Sequence, residues 1–187
     1  MISTVTEYVQ KDPQLALYAE HMNMLMIEND STLAEFKLSI SQKYKRHRPR
    51  LLILLGNPAL LMRDEYRELW GDIPIVLCSE ENYLGPQETY TKKQAIATAD
   101  RTPLTQLADP YNMVLLYSNL YLDENIQLIC HIVPEIKKFI FIGDARQINQ
   151  TNNLDIRNKL KKTHPNVEYQ FCLLYTSDAA DDRISVD

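Results

Sequence analysis

Four short polar clusters are the parts of this chain best equipped for chemistry, and each comes directly after an apolar run. Gly56-Asn57 succeeds LLILL, Ser79-Glu80-Glu81-Asn82-Tyr83 succeeds IPIVLC, Ser118-Asn119 succeeds YNMVLLY, and Gly143-Asp144 succeeds KKFIFI. Asn offers both a donor and an acceptor, and carboxylates suit hydroxyls or cations. In an open α/β sheet, ligands sit beyond the carboxyl ends of the strands. Asn57, Ser79, Glu80, Glu81, Tyr83 and Asp144 are therefore the candidate ligand-binding residues. Any one of them alone is also what an ordinary strand-end cap looks like, whereas four such ends together read as one cleft. Glu80 and Glu81 are adjacent on a loop, a poor arrangement for an acid–base pair, so no residue is assigned a catalytic role.

The motifs that would point elsewhere are missing. There are four glycines, and neither GxGxxG nor GxxxxGK[ST] occurs, so the usual phosphate cradles are not written here. No GxSxG elbow is present. His21, His47, His131 and His164 are scattered without a ligand-pair spacing, and Cys78, Cys130 and Cys172 form no CxxC. No metal site and no cofactor are expected, and the cysteines read as small buried hydrophobes. A formal net charge of −5 argues against nucleic acid as a partner. No apolar run approaches the ~20 residues of a membrane helix. The start, MISTVTEYVQKDPQ, shows no basic segment leading into an apolar one, so no signal peptide is visible.

The elements that must hold the clusters are set by apolar patterning, and 45% of the chain is apolar, enough for a core. STVTEYVQ reads as a short helix broken by Pro13. Leu15, Leu17 and Ala19 alternate with Ala16, Tyr18 and Glu20, which predicts a strand over 15–20. Leu33, Phe36, Ile40 and Tyr44 predict a helix from the caps at 29–32 to about Arg46, closed by the basic KYKRHRPR. LLILLGN is an uninterrupted apolar strand of the kind buried on both faces. Pro58 opens a helix with Leu61, Tyr66, Leu69 and Trp70 inward and Gly71 at its end. IPIVLCS, 111–119, KKFIFIGDA and VEYQF are further strands, with helices from about 122 to Pro134 and over QINQTNNLDIRNKLKKTHP. Residues 80–109 lack periodicity and read as an irregular insertion, with Thr102-Pro103 able to open one short helix. This order predicts an α/β fold: a Rossmann-like parallel sheet flanked by helices.

The end of the chain is different in character. CLLYTSDAAD resembles the conceptual translation of a transposase sequencing adapter, and the codons for Cys172 to Asp181 can be written to match one. The expectation is that residues 172–187 are read-through from a truncated DNA fragment, which the codons themselves would decide.

RPRLLILLGN, a helix, WGDIPIVLCSEENY and then NMVLLYSNLYLDENIQLICHIVPEIKKFIFIGD together resemble the ABC-transporter substrate-binding-like sensor domain of Bacteroidetes hybrid two-component histidine kinases. The resemblance covers about residues 15–171 and lies in apolar patterns more than in invariant chemistry. It departs from the family at Met113-Val114-Leu115, where a Thr-Gly-Val is typical. The resemblance implies a periplasmic-binding-protein-like two-lobe architecture, incomplete: residues 1–119 as lobe I without its first strand, and 120–171 as the crossover and the start of lobe II. It further implies an unknown small-molecule ligand between the lobes, a periplasmic location and a parent anchored in the inner membrane. Phosphotransfer residues would lie in other parts of that parent, so this piece would not be an enzyme. A homodimer contact through the Tyr-bearing insertion fits the same picture. Two other readings stay open: a solute-binding protein of an ABC transporter, and a cytoplasmic Rossmann-like enzyme, which free thiols would suit.

Overall fold

The computed structural model describes residues 2–174. Helices α1 (Ile2–Gln10) and α2 (Asp30–Tyr44) come first, followed by strand β1 (Leu52–Leu55). A 3₁₀ turn over Asn57–Met62 leads into α3 (Arg63–Trp70), and β2 (Ile75–Ser79) is next. Then come β3 (Tyr83–Leu84), α4 (Gln87–Thr91), β4 (Thr102–Pro103), α5 (Thr105–Ala108) and β5 (Met113–Tyr117). The last four elements are α6 (Leu122–Ile132), β6 (Lys138–Gly143), α7 (Gln147–Thr163) and β7 (Glu168–Leu173).

The fold is mixed α/β. Strands β1, β2 and β5 form a three-stranded parallel sheet in that order, with Leu54 opposite Leu77 and Leu77 opposite Leu115. β6 and β7 form a second, two-stranded parallel sheet, and β3 pairs antiparallel with β4. Two hydrophobic clusters accompany the two parallel sheets. The first gathers Leu54, Ile75, Leu77 and Met113 from the strands with Leu33, Leu60, Tyr90, Ile96 and Leu104 from the covering segments. The second is small, with Ile126 of α6 and Ile156 and Leu160 of α7 at its centre and Phe139, Phe141 and Tyr169 against them.

Local signals explain most boundaries. Asn29 caps α2 through a reciprocal pair of bonds with Thr32, a capping box with Thr in the usual Glu position. Gly56 has φ +84° and Gly71 has φ +72°, the backbone region that glycine enters without a Cβ clash. These two residues turn the chain out of β1 and out of α3. Tyr66 stacks on Trp70 with ring centroids 5.7 Å apart, fixing the apolar face of α3.

The structure corrects several expectations. Residues 15–20 form no strand: they are irregular, with Leu15, Leu17 and Tyr18 exposed. Alternation alone does not make a strand when no neighbour receives its backbone hydrogen bonds. The region 80–109 is not structureless but holds a two-residue ribbon and short helices, elements too brief to leave a period. Thr102-Pro103 lies in β4, and the short helix begins at Thr105. The strands of the first sheet are not covered on both faces. Ile53, Leu55, Val114 and Leu116 are exposed on the side opposite Leu54 and Leu77. The sheet steps in one direction from β1 to β2 to β5, so crossovers of one hand keep every connection on the same side. β7 also runs through Cys172 and Leu173, and the chain from 175 onward, most of the segment read as adapter translation, lies outside the described residues. Among the described residues, no helix is long and apolar enough to cross a membrane.

Candidate functional site

The carboxyl ends of β1 and β2 deliver Asn57 and Ser79 side by side. Gly56 turns the chain so that Asn57 opens the 3₁₀ turn with its side chain directed inward, only 2% exposed. Its Nδ2 donates to the Tyr83 carbonyl at 2.5 Å and the Glu81 carbonyl at 3.3 Å. The Ser79 hydroxyl lies within reach of Asn57 Oδ1 and of the Glu81 carbonyl at 2.6 Å. With one proton it donates to one of them at a time. It also accepts from the Glu81 amide at 3.0 Å. The loop after β2 is thereby wrapped around two buried polar side chains, and this wrapping aims Glu81 inward.

Glu81 is the chemical centre of the arrangement. The residue is 7% exposed, and its Oε1 accepts from the Tyr83 hydroxyl at 2.9 Å. Burial raises its carboxyl above the ordinary value of 4.5, opposed by hydrogen bonds from Tyr83 and Gln147 and by the charge of Arg101. Burial, and next the charge of Glu81, likewise push the Tyr83 phenol up. The Arg101 guanidinium lies over the Tyr83 ring, 4.5 Å from its centroid, and its Nη2 donates to both Asp155 carboxylate oxygens, at 2.7 and 2.9 Å.

Gln147, Thr151 and Asp155 all belong to α7 and sit one turn apart on one face of it. Gln147 Nε2 donates to Thr151 Oγ1 at 2.7 Å, and Thr151 Oγ1 accepts from the Ile96 amide at 3.0 Å. Thus α7, which comes after the first strand of the second sheet, meets the loop after β2 and the segment around Ile96 and Arg101 through polar contacts. The two hydrophobic clusters have no residue in common across this junction.

Asn57, Ser79, Glu81 and Tyr83 are brought together. Glu80 is exposed on the loop beside them, with no hydrogen bond or ion pair from its side chain among the described residues. Asp144 serves the entry to α7 instead. It accepts from the Arg146 amide at 2.9 Å, the Arg146 guanidinium at 2.7 Å and Asn149 at 2.7 Å. Burial works against its ionisation, but these bonds outweigh it and hold the carboxyl below its usual range. Ser118 and Asn119 stay at the exposed end of β5. Arg101, Gln147, Thr151 and Asp155 are absent from the candidates read off the sequence, because they reach the site through contacts about fifty residues apart in the chain. The QINQTNNLD stretch of α7 is polar where a helix usually advertises its buried face, and that polarity is the one signal that could point to it.

Chemically the junction holds one buried carboxyl, a phenol, a guanidinium and two amides. These groups are of the kind that hydrogen-bond hydroxyl and amino groups, and no nucleophile stands beside a base in the manner of covalent catalysis. Among the described residues, no group of three or more His, Cys, Asp or Glu is placed to hold a metal ion. No family model matches the chain, and neither a curated protein nor a solved structure matches it.

Proposed function

We propose that the chain is part of an extracytoplasmic ligand-sensing domain of a two-component sensor histidine kinase, holding a small polar molecule between two lobes. The observation that carries this reading is the junction at Glu81. The loop after β2 of one parallel sheet meets a helix that belongs with another, and each sheet has its own hydrophobic cluster. Units joined by polar contacts rather than by a shared apolar core move relative to one another by default. A ligand that offers hydroxyl or amino groups to Glu81, Gln147 and Asn57 would replace protein–protein hydrogen bonds with bonds of its own.

Signalling then requires that the ligand favour one relative orientation of the lobes over another. A ligand of equal affinity for both transmits nothing. In this reading the change passes through a membrane anchor to a kinase core elsewhere in the parent, and this chain performs no phosphotransfer. A solute-binding protein of a transporter would use the same junction and would differ only in lacking that anchor and kinase core.

The test is a thermal-shift screen against sugars, amino acids and purines. A ligand at 100 times its Kd stabilises the folded state by about 2.7 kcal/mol, a shift of several degrees. Glu81→Gln and Tyr83→Phe should abolish the shift while the protein stays folded. A hit that survives both replacements would move the binding site away from this junction, and a screen without hits across all three classes would remove its support.

A further inference from the structure

A second face of α7, turned away from Glu81, borders a cavity of about 400 Å³ against β7. Leu160, Pro165, Val167, Tyr169 and Phe171 line it together with the polar Asn153, Arg157 and Lys161, so its floor is part apolar and part polar. The volume falls in the range of small-molecule sites, roughly 300–1,000 Å³. The Tyr169 hydroxyl is already occupied, since it donates to Asn153 Oδ1 at 2.7 Å.

Arg157 and Lys161 are both exposed. Two other charged positions along this helix are paired: Asp155 takes Arg101, and Lys159 reaches Asp123 at 2.8 Å. Arg157 and Lys161 have no carboxylate within ion-pair distance among the described residues. They are four residues apart, the spacing at which like charges on a helix repel. Lys161 lies in the last turn, where the helix dipole favours a cation, but Arg157 stands a turn earlier. Two exposed positive groups without a carboxylate partner therefore border the apolar part of the floor. An anion between them would relieve the repulsion, and a guanidinium suits a planar carboxylate.

We propose that the groove between α7 and β7 binds an amphiphilic carboxylate, its head between Arg157 and Lys161 and its apolar body along Leu160, Val167 and Phe171. The floor selects against a compact, fully hydrated anion, which could not use it. The site is separate from the Glu81 junction: at 3.6 residues per turn, Asn153, Arg157 and Lys161 centre about 120° around the helix from Gln147, Thr151 and Asp155. It stands whether or not the sensor reading does.

Titration of the isotope-labelled protein with octanoate, followed by amide chemical shifts, tests it. Saturable shifts confined to 153–171 are expected. Octanamide, which keeps the chain and loses the charge, and inorganic phosphate, which keeps charge and loses the chain, should each bind at least tenfold more weakly. Arg157→Gln combined with Lys161→Gln should weaken octanoate tenfold or more, and Glu81→Gln should leave it unchanged. Equal binding of octanamide would overturn the charge recognition. Equal binding of phosphate would overturn the role of the floor. Absence of saturable shifts, or their loss in Glu81→Gln, would overturn the site.

Discussion

Glu81 makes one contribution to how the stability of this chain responds to pH. A carboxyl whose pKa is raised by folding binds its proton more tightly in the native state than in the unfolded one. Its contribution therefore favours the folded state in acid and is lost as pH rises from the unfolded value near 4.5 toward the raised native value. Glu81→Gln keeps an acceptor for Tyr83 and removes the titration. The variant should be the more stable protein at neutral pH and should lose the part of the stability–pH slope that lies above pH 4.5. Urea unfolding at a series of pH values checks this, and parallel curves for the two proteins would contradict it. Asn57→Ala acts in the other direction. It takes from the Tyr83 carbonyl its amide donor and from the Ser79 hydroxyl one of two acceptors, and should cost about 1–3 kcal/mol at any pH. Gly85 is fixed by space: a Cβ there would lie 2.4 Å from Ile96 Cδ1 and 2.7 Å from Cγ1. Gly85→Ala should cost about 1–3 kcal/mol by overpacking. In the double variant with Ile96→Ala the two losses should sum to less than their separate values, and strict additivity would mean that Ile96 simply swings aside.

At the scale of elements, the first sheet is asymmetric in a way its sequence conceals. Leu77 is fully buried while Val114 and Leu116 are more than half exposed, although all three stand in uninterrupted apolar runs. Leu77→Ala should cost about 2–5 kcal/mol. Val114→Thr should change stability by no more than about 0.5 kcal/mol, as a surface replacement does. Chemical denaturation of the two variants gives the comparison directly. The strands themselves are legible, because β1, β2, β5 and β6 are apolar segments bounded by Gly, Pro or polar residues. The missing cover is not, since an apolar run reads the same with one face packed or two. The candidate site is half legible. Asn57, Ser79, Glu81 and Tyr83 sit where strand ends must converge, and the order of elements places them there. Arg101 and the α7 residues meet them only through tertiary packing, and residues 15–20 carry an alternating pattern that no neighbouring strand turns into structure.

The described residues hold two apolar centres linked by polar bonds, and the ion pair of Arg101 with Asp155 is one of those links. Both side chains are largely shielded, at 17% and 32% exposure, so the pair is worth more than a surface ion pair. Arg101→Ala should uncouple the centres. Trp70, stacked on Tyr66 beside the first cluster, reports one of them by fluorescence, while far-ultraviolet circular dichroism averages over both. The two midpoints should separate in the variant; coincident curves would mean that the centres unfold as one unit without the ion pair.

Ile96 is fully buried, and its amide finds its acceptor in the Thr151 hydroxyl of α7 rather than in a strand or helix neighbour. Neither sheet has to unravel for that proton to be released; α7 need only draw back from the segment it touches. Exchange of this one hydrogen for deuterium therefore reads how often α7 leaves the Ile96 segment, at a single position and without any attached label.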